Sequence, residues 1–146
     1  MENIRDFLTF LKDRGELATV EAEVSSELEI TEITERTIRS KGPALLFKNV
    51  SGSDIPVVIN LFGSHQRMAW ALGVDNVQEI ADRVTKILKI PQNPPEGIMD
   101  KLNTLGDLAG IAKSQPKLVK SAPCQEIITV GEDVNLNELP ILKCWP

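Results

Sequence analysis

The sequence predicts an α/β fold, an N-terminal α/β sandwich on a mixed sheet followed by a β-rich segment too short to close a sheet of its own. Three observations carry this. The spacing of apolar residues switches between a helical period and a strand period several times within the first 62 residues. Glycine and proline stand at the switches. From Pro116 onward short apolar runs separated by turn residues replace the helical spacing.

Asn3 is placed to cap a helix whose Ile4, Phe7, Leu8 and Leu11 fall on one face, and Gly15 is placed to end it in the left-handed conformation. Ala18, Val20, Ala22 and Val24 then alternate with Thr19, Glu21, Glu23 and Ser25, as in a strand with one wet face. Ser26 and Glu29 have capping-box spacing ahead of Ile30, Ile33, Thr37 and Ile38, and Gly42-Pro43 stops that second helix. Ala44 to Val50 and Ile55 to Phe62 read as neighbouring strands near the sheet centre, joined by the turn Ser51-Gly52-Ser53-Asp54. A short helical stretch carries Met68, Ala69 and Leu72. Asp75 then opens a longer one with Val77, Ile80, Ala81, Val84, Ile87 and Leu88 on one face, so that helices cover the sheet. The order predicts two or three layers rather than strict βαβ alternation.

Pro91 to Gly97, with three prolines and a glycine, ends that helix and marks a surface crossing. Ile98 to Ala112 carries Leu102, Leu105, Leu108 and Ala109 at helical spacing, interrupted by Gly106 and Gly110, which predicts one bent helix or two short ones. Beyond it, Leu118-Val119, Glu126 to Val130 and Leu136 to Leu142 read as strands, with a turn at Gly131-Glu132-Asp133. Two domains are expected, residues 1–112 and 113–146, the second cut short.

Composition narrows the functional classes. The 146 residues are 42% hydrophobic and 25% charged, which suits a globular domain large enough to bury a core. A net charge of −5 offers no cationic field for nucleic acid or anionic lipid. The first residues lack the features of a secretion or transit signal, which gives the expectation of a cytoplasmic protein. The longest apolar stretch, Ile55 to Phe62, falls well short of the ~20 residues that cross a bilayer. Cys124 and Cys144 are the only cysteines and His65 the only histidine, so neither a zinc site nor a structural disulfide is expected.

Gly63-Ser64-His65-Gln66-Arg67 is the best candidate anion site, a strand entering a glycine turn at a helix start where free N–H groups and Arg67 could meet a phosphate or carboxylate. It lacks the spacing of a dinucleotide or P-loop motif, and an ordinary Ser64 cap beside a solvated Arg67 outweighs it. His65 has no nucleophile marked out for it to activate. Glu27, Glu29, Glu32 and Glu35 form a solvated face, and Glu132 and Asp133 suit a turn better than a hard-cation site. Cys144 beside Trp145 reads as a reduced cysteine and an aromatic packed in a core before it reads as a reactive thiol. Gly106 to Gly110 has GxxxG spacing, which marks a bend or close packing in a chain of this kind. No catalytic, cofactor-binding or metal-ligating residue is assigned.

Several short motifs nevertheless fall in a recognisable order. Arg5-Asp6-Phe7-Leu8 with Gly15-Glu16-Leu17, Glu29-Ile30-Thr31-Glu32-Ile33 with Arg36, Gly42 to Phe47 with Asn49, and Asn60 to Ser64 resemble the UbiD decarboxylase family. Ala122 to Glu126, Gly131 to Val134, and Leu139-Pro140 with Cys144-Trp145-Pro146 resemble the entry to that family's flavin-binding domain, a split β-barrel. Ser25-Ser26, Lys48 and Asn135 depart from residues common in the family, at surface or turn positions.

The resemblance implies reversible, non-oxidative decarboxylation of an aromatic or α,β-unsaturated carboxylic acid with prenylated FMN, Mn2+ and K+, the cofactor supplying the electron sink. It implies an N-terminal piece of a longer enzyme, with the catalytic and cofactor-binding residues beyond Pro146 and the piece itself inactive. It further implies a homo-oligomer, a flavin prenyltransferase as cofactor supplier, membrane contact that is at most peripheral, and a quinone-pathway substrate such as polyprenyl 4-hydroxybenzoate. The alternatives are a standalone non-catalytic binding or oligomerisation module and, ranked last, a hydrolase using Ser64 and His65. The strand edges of residues 126–130 and 136–142 predict association between chains.

Overall fold

A computed structural model describes residues 3–89, 97, 104–106, 109, 116 and 118–146. It forms two compact units, Met1–Val77 with Glu132–Pro146, and Gln78–Gly131. The expected boundary between residues 112 and 113 lies outside the described residues, as does most of the stretch from Pro91 to Ala112. Only residues 104–106 and 109 of that stretch are described as helical.

The first unit opens with α1 (Ile4–Asp13), whose N-terminal amides at Arg5 and Asp6 donate to the Asn3 side chain. It closes through a paired turn in which the N–H of Gly15, at φ +72°, bonds Lys12 O and that of Glu16 bonds Leu11 O. This cap fixes where Glu16 points, and β1 (Leu17–Val24) follows at once. The central strand β2 (Ala44–Val50) runs parallel to β1, with Leu17 opposite Ala44 and Val24 opposite Val50. The third strand, β3 (Val57–Ile59), pairs antiparallel to β2, giving the order β1-β2-β3 and the mixed sheet that the sequence predicts.

Helix α2 (Glu29–Arg39) connects the two parallel strands. Its Ile30 is fully buried and Ile33 half-buried against Val24, Leu45, Phe47 and Val50. At the start of the two parallel strands, Leu17 and Ala44 pack instead with Phe7 and Leu11 of α1 and with Trp70. The sheet thus has helices on both faces of this unit. In β1 both Glu21 and Glu23 are exposed, as alternation predicts, while a register shift between Val20 and Glu23 leaves Ala22 exposed as well.

Three expectations are corrected here. The α2 N-terminus is not capped by Ser26: the cap position is Leu28 at φ +66°, and the Glu29 carboxylate accepts instead from Ser25 N–H, at 2.7 Å. The third strand is three residues rather than eight, because Pro56 lacks a ladder donor and Asn60 turns the chain at φ +60°. The segments 126–130 and 136–142 contain no strand. Among the described residues from 118 onward the chain makes 3-10 turns at Pro123–Gln125, Gly131–Asp133 and Leu136–Glu138, and one bridge residue, Lys143.

α3 (His65–Ala71) is capped by Ser64, and its exit through Gly73, at φ +68°, repeats the paired turn that ends α1 and buries Val74. In the second unit α4 (Gln78–Lys89) has an apolar stripe, but buries none of its residues, with Val84 and Leu88 exposed. The cover expected from it is not found within its own unit.

Candidate functional site

The residues that carry the most chemistry gather at one end of the sheet, where β1 and β2 begin and β3 ends. Glu16 precedes β1. Gly42 and Pro43 precede β2, held by a third paired turn in which the N–H of Lys41, at φ +55°, bonds Ile38 O and that of Gly42 bonds Thr37 O. Asn60 follows β3 and donates its side-chain amide to Pro43 O at 2.9 Å. Into this ring α3 sends Arg67.

Arg67 is 2% exposed. Its Nη1 donates to Glu16 Oε2 at 2.6 Å and to Gly42 O at 3.4 Å, and its backbone N–H donates to Ser64 Oγ at 3.1 Å. The Nε is buried without a partner. Gly63 is required by this packing: a Cβ there would lie 1.7 Å from Asn60 Oδ1 and 3.0 Å from Arg67 Nη2. The Ser64 cap is as expected, but the solvated Arg67 is not. Nor is Arg67 open to an external anion, because it is buried and its charge is already paired with Glu16 inside the protein. Nothing local in the sequence shows the pairing, since Glu16 lies 51 residues away; the signal available was two glycine turns, at Gly42 and Gly63, that need close backbone approach.

The opposite end of the sheet, at the carboxyl ends of β1 and β2, is open and polar. Glu23, Lys48, Asn49, Val50, Gly52, Ser53 and Asp54 line a cleft of about 570 Å3. Ser51 Oγ donates to Glu23 and Lys48 Nζ to Glu21, at 2.8 and 2.7 Å. The segment from Leu136 onward reaches this end. Ser53 Oγ donates to Glu138 O at 2.7 Å, Leu142 packs on the core beside Ile30 and Phe47, and Lys143 enters the turn before α2. Lys143 N–H donates to Ser26 O, Leu28 N–H to Lys143 O, and Lys143 Nζ to Glu27 Oε1, at 3.0, 2.9 and 2.6 Å. The Lys143 hydrogen bond and charge hold the Glu27 carboxyl below the usual glutamate range.

The remaining candidates are dispersed. Glu32 pairs with Arg36 and Glu35 with Arg39 one turn on, a solvated helix face as expected. His65 opens α3 and is exposed, and Glu132 and Asp133 lie in an exposed turn. Cys124 and Cys144 are free thiols at the surface, and Trp145 is 80% exposed, so the pair Cys144-Trp145 is not packed in a core.

Residues 8–84 match the model of the 3-octaprenyl-4-hydroxybenzoate carboxy-lyase N-terminal domain, UbiD_N. The chain belongs to the UbiD family. Among solved structures, the UbiD-class enzyme HmfF from Pelotomaculum thermopropionicum, in an evolved dimeric form with prFMN, is 28% identical with a TM-score of 0.53, over 66% of this chain and 21% of that one. HmfF in complex with FMN is 29% identical with a TM-score of 0.51, over 64% of this chain and 20% of that one. The closed form of vanillic acid decarboxylase from Sedimentibacter hydroxybenzoicus is 26% identical with a TM-score of 0.68, over all of this chain and 28% of that one. The chain therefore spans less than a third of the length of these UbiD-class structures.

No cluster of three or more His, Cys, Asp or Glu side chains is arranged for a metal ion among the described residues, and the buried cation that could face a flavin phosphate is bound to Glu16. Among the same residues no helix is long and apolar enough to cross a membrane.

Proposed function

We propose that this chain supplies the N-terminal scaffold of a UbiD-class enzyme that reversibly decarboxylates an aromatic or α,β-unsaturated carboxylic acid, and that these 146 residues do no chemistry alone. The observation that carries the second half is the commitment of Arg67. The guanidinium best placed to meet an anion is 2% exposed and paired through Nη1 with Glu16 and the Gly42 carbonyl, at the end of the sheet where α/β folds do not usually bind ligands.

In this reading prenylated FMN, Mn2+ and K+ are held by residues of the enzyme other than these, and a flavin prenyltransferase supplies the cofactor. Residues 113–146 are the entry to the split β-barrel, and the full enzyme is a cytoplasmic homo-oligomer. The finer substrate reading, a polyprenyl 4-hydroxybenzoate of quinone biosynthesis, draws support from the description of the matching N-terminal domain. The identities of 26–29% to enzymes such as vanillic acid decarboxylase favour the broader aromatic-acid class equally.

Equilibrium dialysis of the 146-residue chain against FMN with and without Mn2+ tests the scaffold assignment. No retained flavin is expected; stoichiometric binding at micromolar FMN would overturn it.

A further inference from the structure

We infer that the carboxyl end of the sheet is a docking surface for the chain's own residues 138–143, and that this strap detaches while the sheet stays folded. The inference does not depend on the decarboxylase reading.

Docking is specific. Two turns receive the strap, the one between β1 and α2 and the one between β2 and β3, through contacts spanning 85 residues at Ser53–Glu138 and 116 at Glu27–Lys143. The backbone bonds are reciprocal: Lys143 donates to Ser26 and accepts from Leu28, forming a single parallel bridge at the point where β1 has ended. Leu28 adopts a left-handed φ of 66°, uncommon for a leucine, and its N–H points to the strap rather than into a helix cap. The turn is thus shaped for this partner, and the cap that Ser26 could have supplied is forgone.

Detachment follows from what the strap lacks. It has one bridge and no ladder, so its bonds do not reinforce one another as those of β2 do. Leu142 is half-buried and packs on the core, while Leu139 and Ile141 beside it in the strap are 48% and 65% exposed. The Lys143–Glu27 pair is open to water on both sides, with side chains 53% and 62% exposed, and is screened by salt. By contrast Phe47 and Val50 on β2 are buried and paired independently of the strap. Segments with few buried contacts and exposed hydrogen bonds open locally, below the cost of global unfolding.

Amide hydrogen exchange on the full chain reads this directly, because Leu28 and Lys143 each commit their N–H to the docked state. The amides of Leu28 and Lys143 are expected to exchange about 10-fold or more slower than free amides and about 100-fold faster than those of β2. Leu142→Asp should release both amides to the free rate with β2 unchanged. Lys143→Met, which keeps the fold and the backbone bonds, should speed Leu28 several-fold and remove the salt dependence of its exchange. Exchange of Leu28 as slow as β2 would show that the strap does not open separately. Exchange at the free rate in the unaltered chain would show that it does not dock. Either overturns the inference.

Discussion

The two ends of the sheet each hold an ion pair of the same length, 2.6 Å, and the two pairs do opposite things. At the amino end Arg67 is 2% exposed, with Glu16 at 38%; at the carboxyl end Lys143 and Glu27 are 53% and 62% exposed. Distance alone does not set the strength of a contact. A guanidinium removed from water must keep its acceptors, so Arg67 locks together the starts of two strands and the turn after a third. An ammonium left in water gains little from a carboxylate and can leave it, so Lys143 marks a place where the chain docks and releases.

The sharpest way to break the contrast is at Arg67. Arg67→Met keeps the apolar stem and deletes the charge, leaving Glu16 without its partner and Gly42 O with only the Asn60 amide, at 3.4 Å; the unfolding free energy from urea titration should fall by about 2–4 kcal/mol, less than for a fully buried pair because Glu16 keeps some water. A next, smaller effect is expected at the strap. Leu142→Ala should cost about 1 kcal/mol in the same titration, below the usual cost of a core Leu→Ala because the side chain is only half-buried. A loss as large as that at Arg67 would mean that the strap is part of the core.

The smallest effect is the titration of Glu27. Its carboxyl is held low in the folded protein by Lys143, so its contribution to strap docking is complete above the ordinary glutamate value and is lost as pH falls through the depressed one. Exchange of the Leu28 amide, corrected for its intrinsic pH dependence, should therefore rise on acidification, and Glu27→Gln should flatten that rise. High salt should mimic part of it.

Much of the first unit was legible because its signals are local. Asn3, the apolar spacing of α1, Gly15 and the alternation of β1 each specify a conformation within a few residues, and the structure has them at those positions. What escaped depends on long-range partners. The Ser26-Glu29 spacing predicts a cap, but the cap position is Leu28, whose amide is taken by Lys143, more than a hundred residues away, while Glu29 accepts from the Ser25 N–H. Arg67 beside a helix start predicts a solvated cation, but Glu16 meets it underneath. The apolar residues of 126–130 and 136–142 have strand character, yet Ile127, Val130, Leu136 and Ile141 are exposed and no ladder forms. Strand propensity needs a neighbouring strand to become a strand.

The division between scaffold and chemistry meets its most direct test in a decarboxylation assay. Incubating the purified 146-residue chain with prenylated FMN, Mn2+, K+ and a panel of aromatic acids, vanillic acid and 4-hydroxybenzoate included, should release no carbon dioxide above the cofactor-only control. Turnover that is abolished by Arg67→Lys or His65→Ala in a folded variant would place the chemistry on these residues and contradict the account.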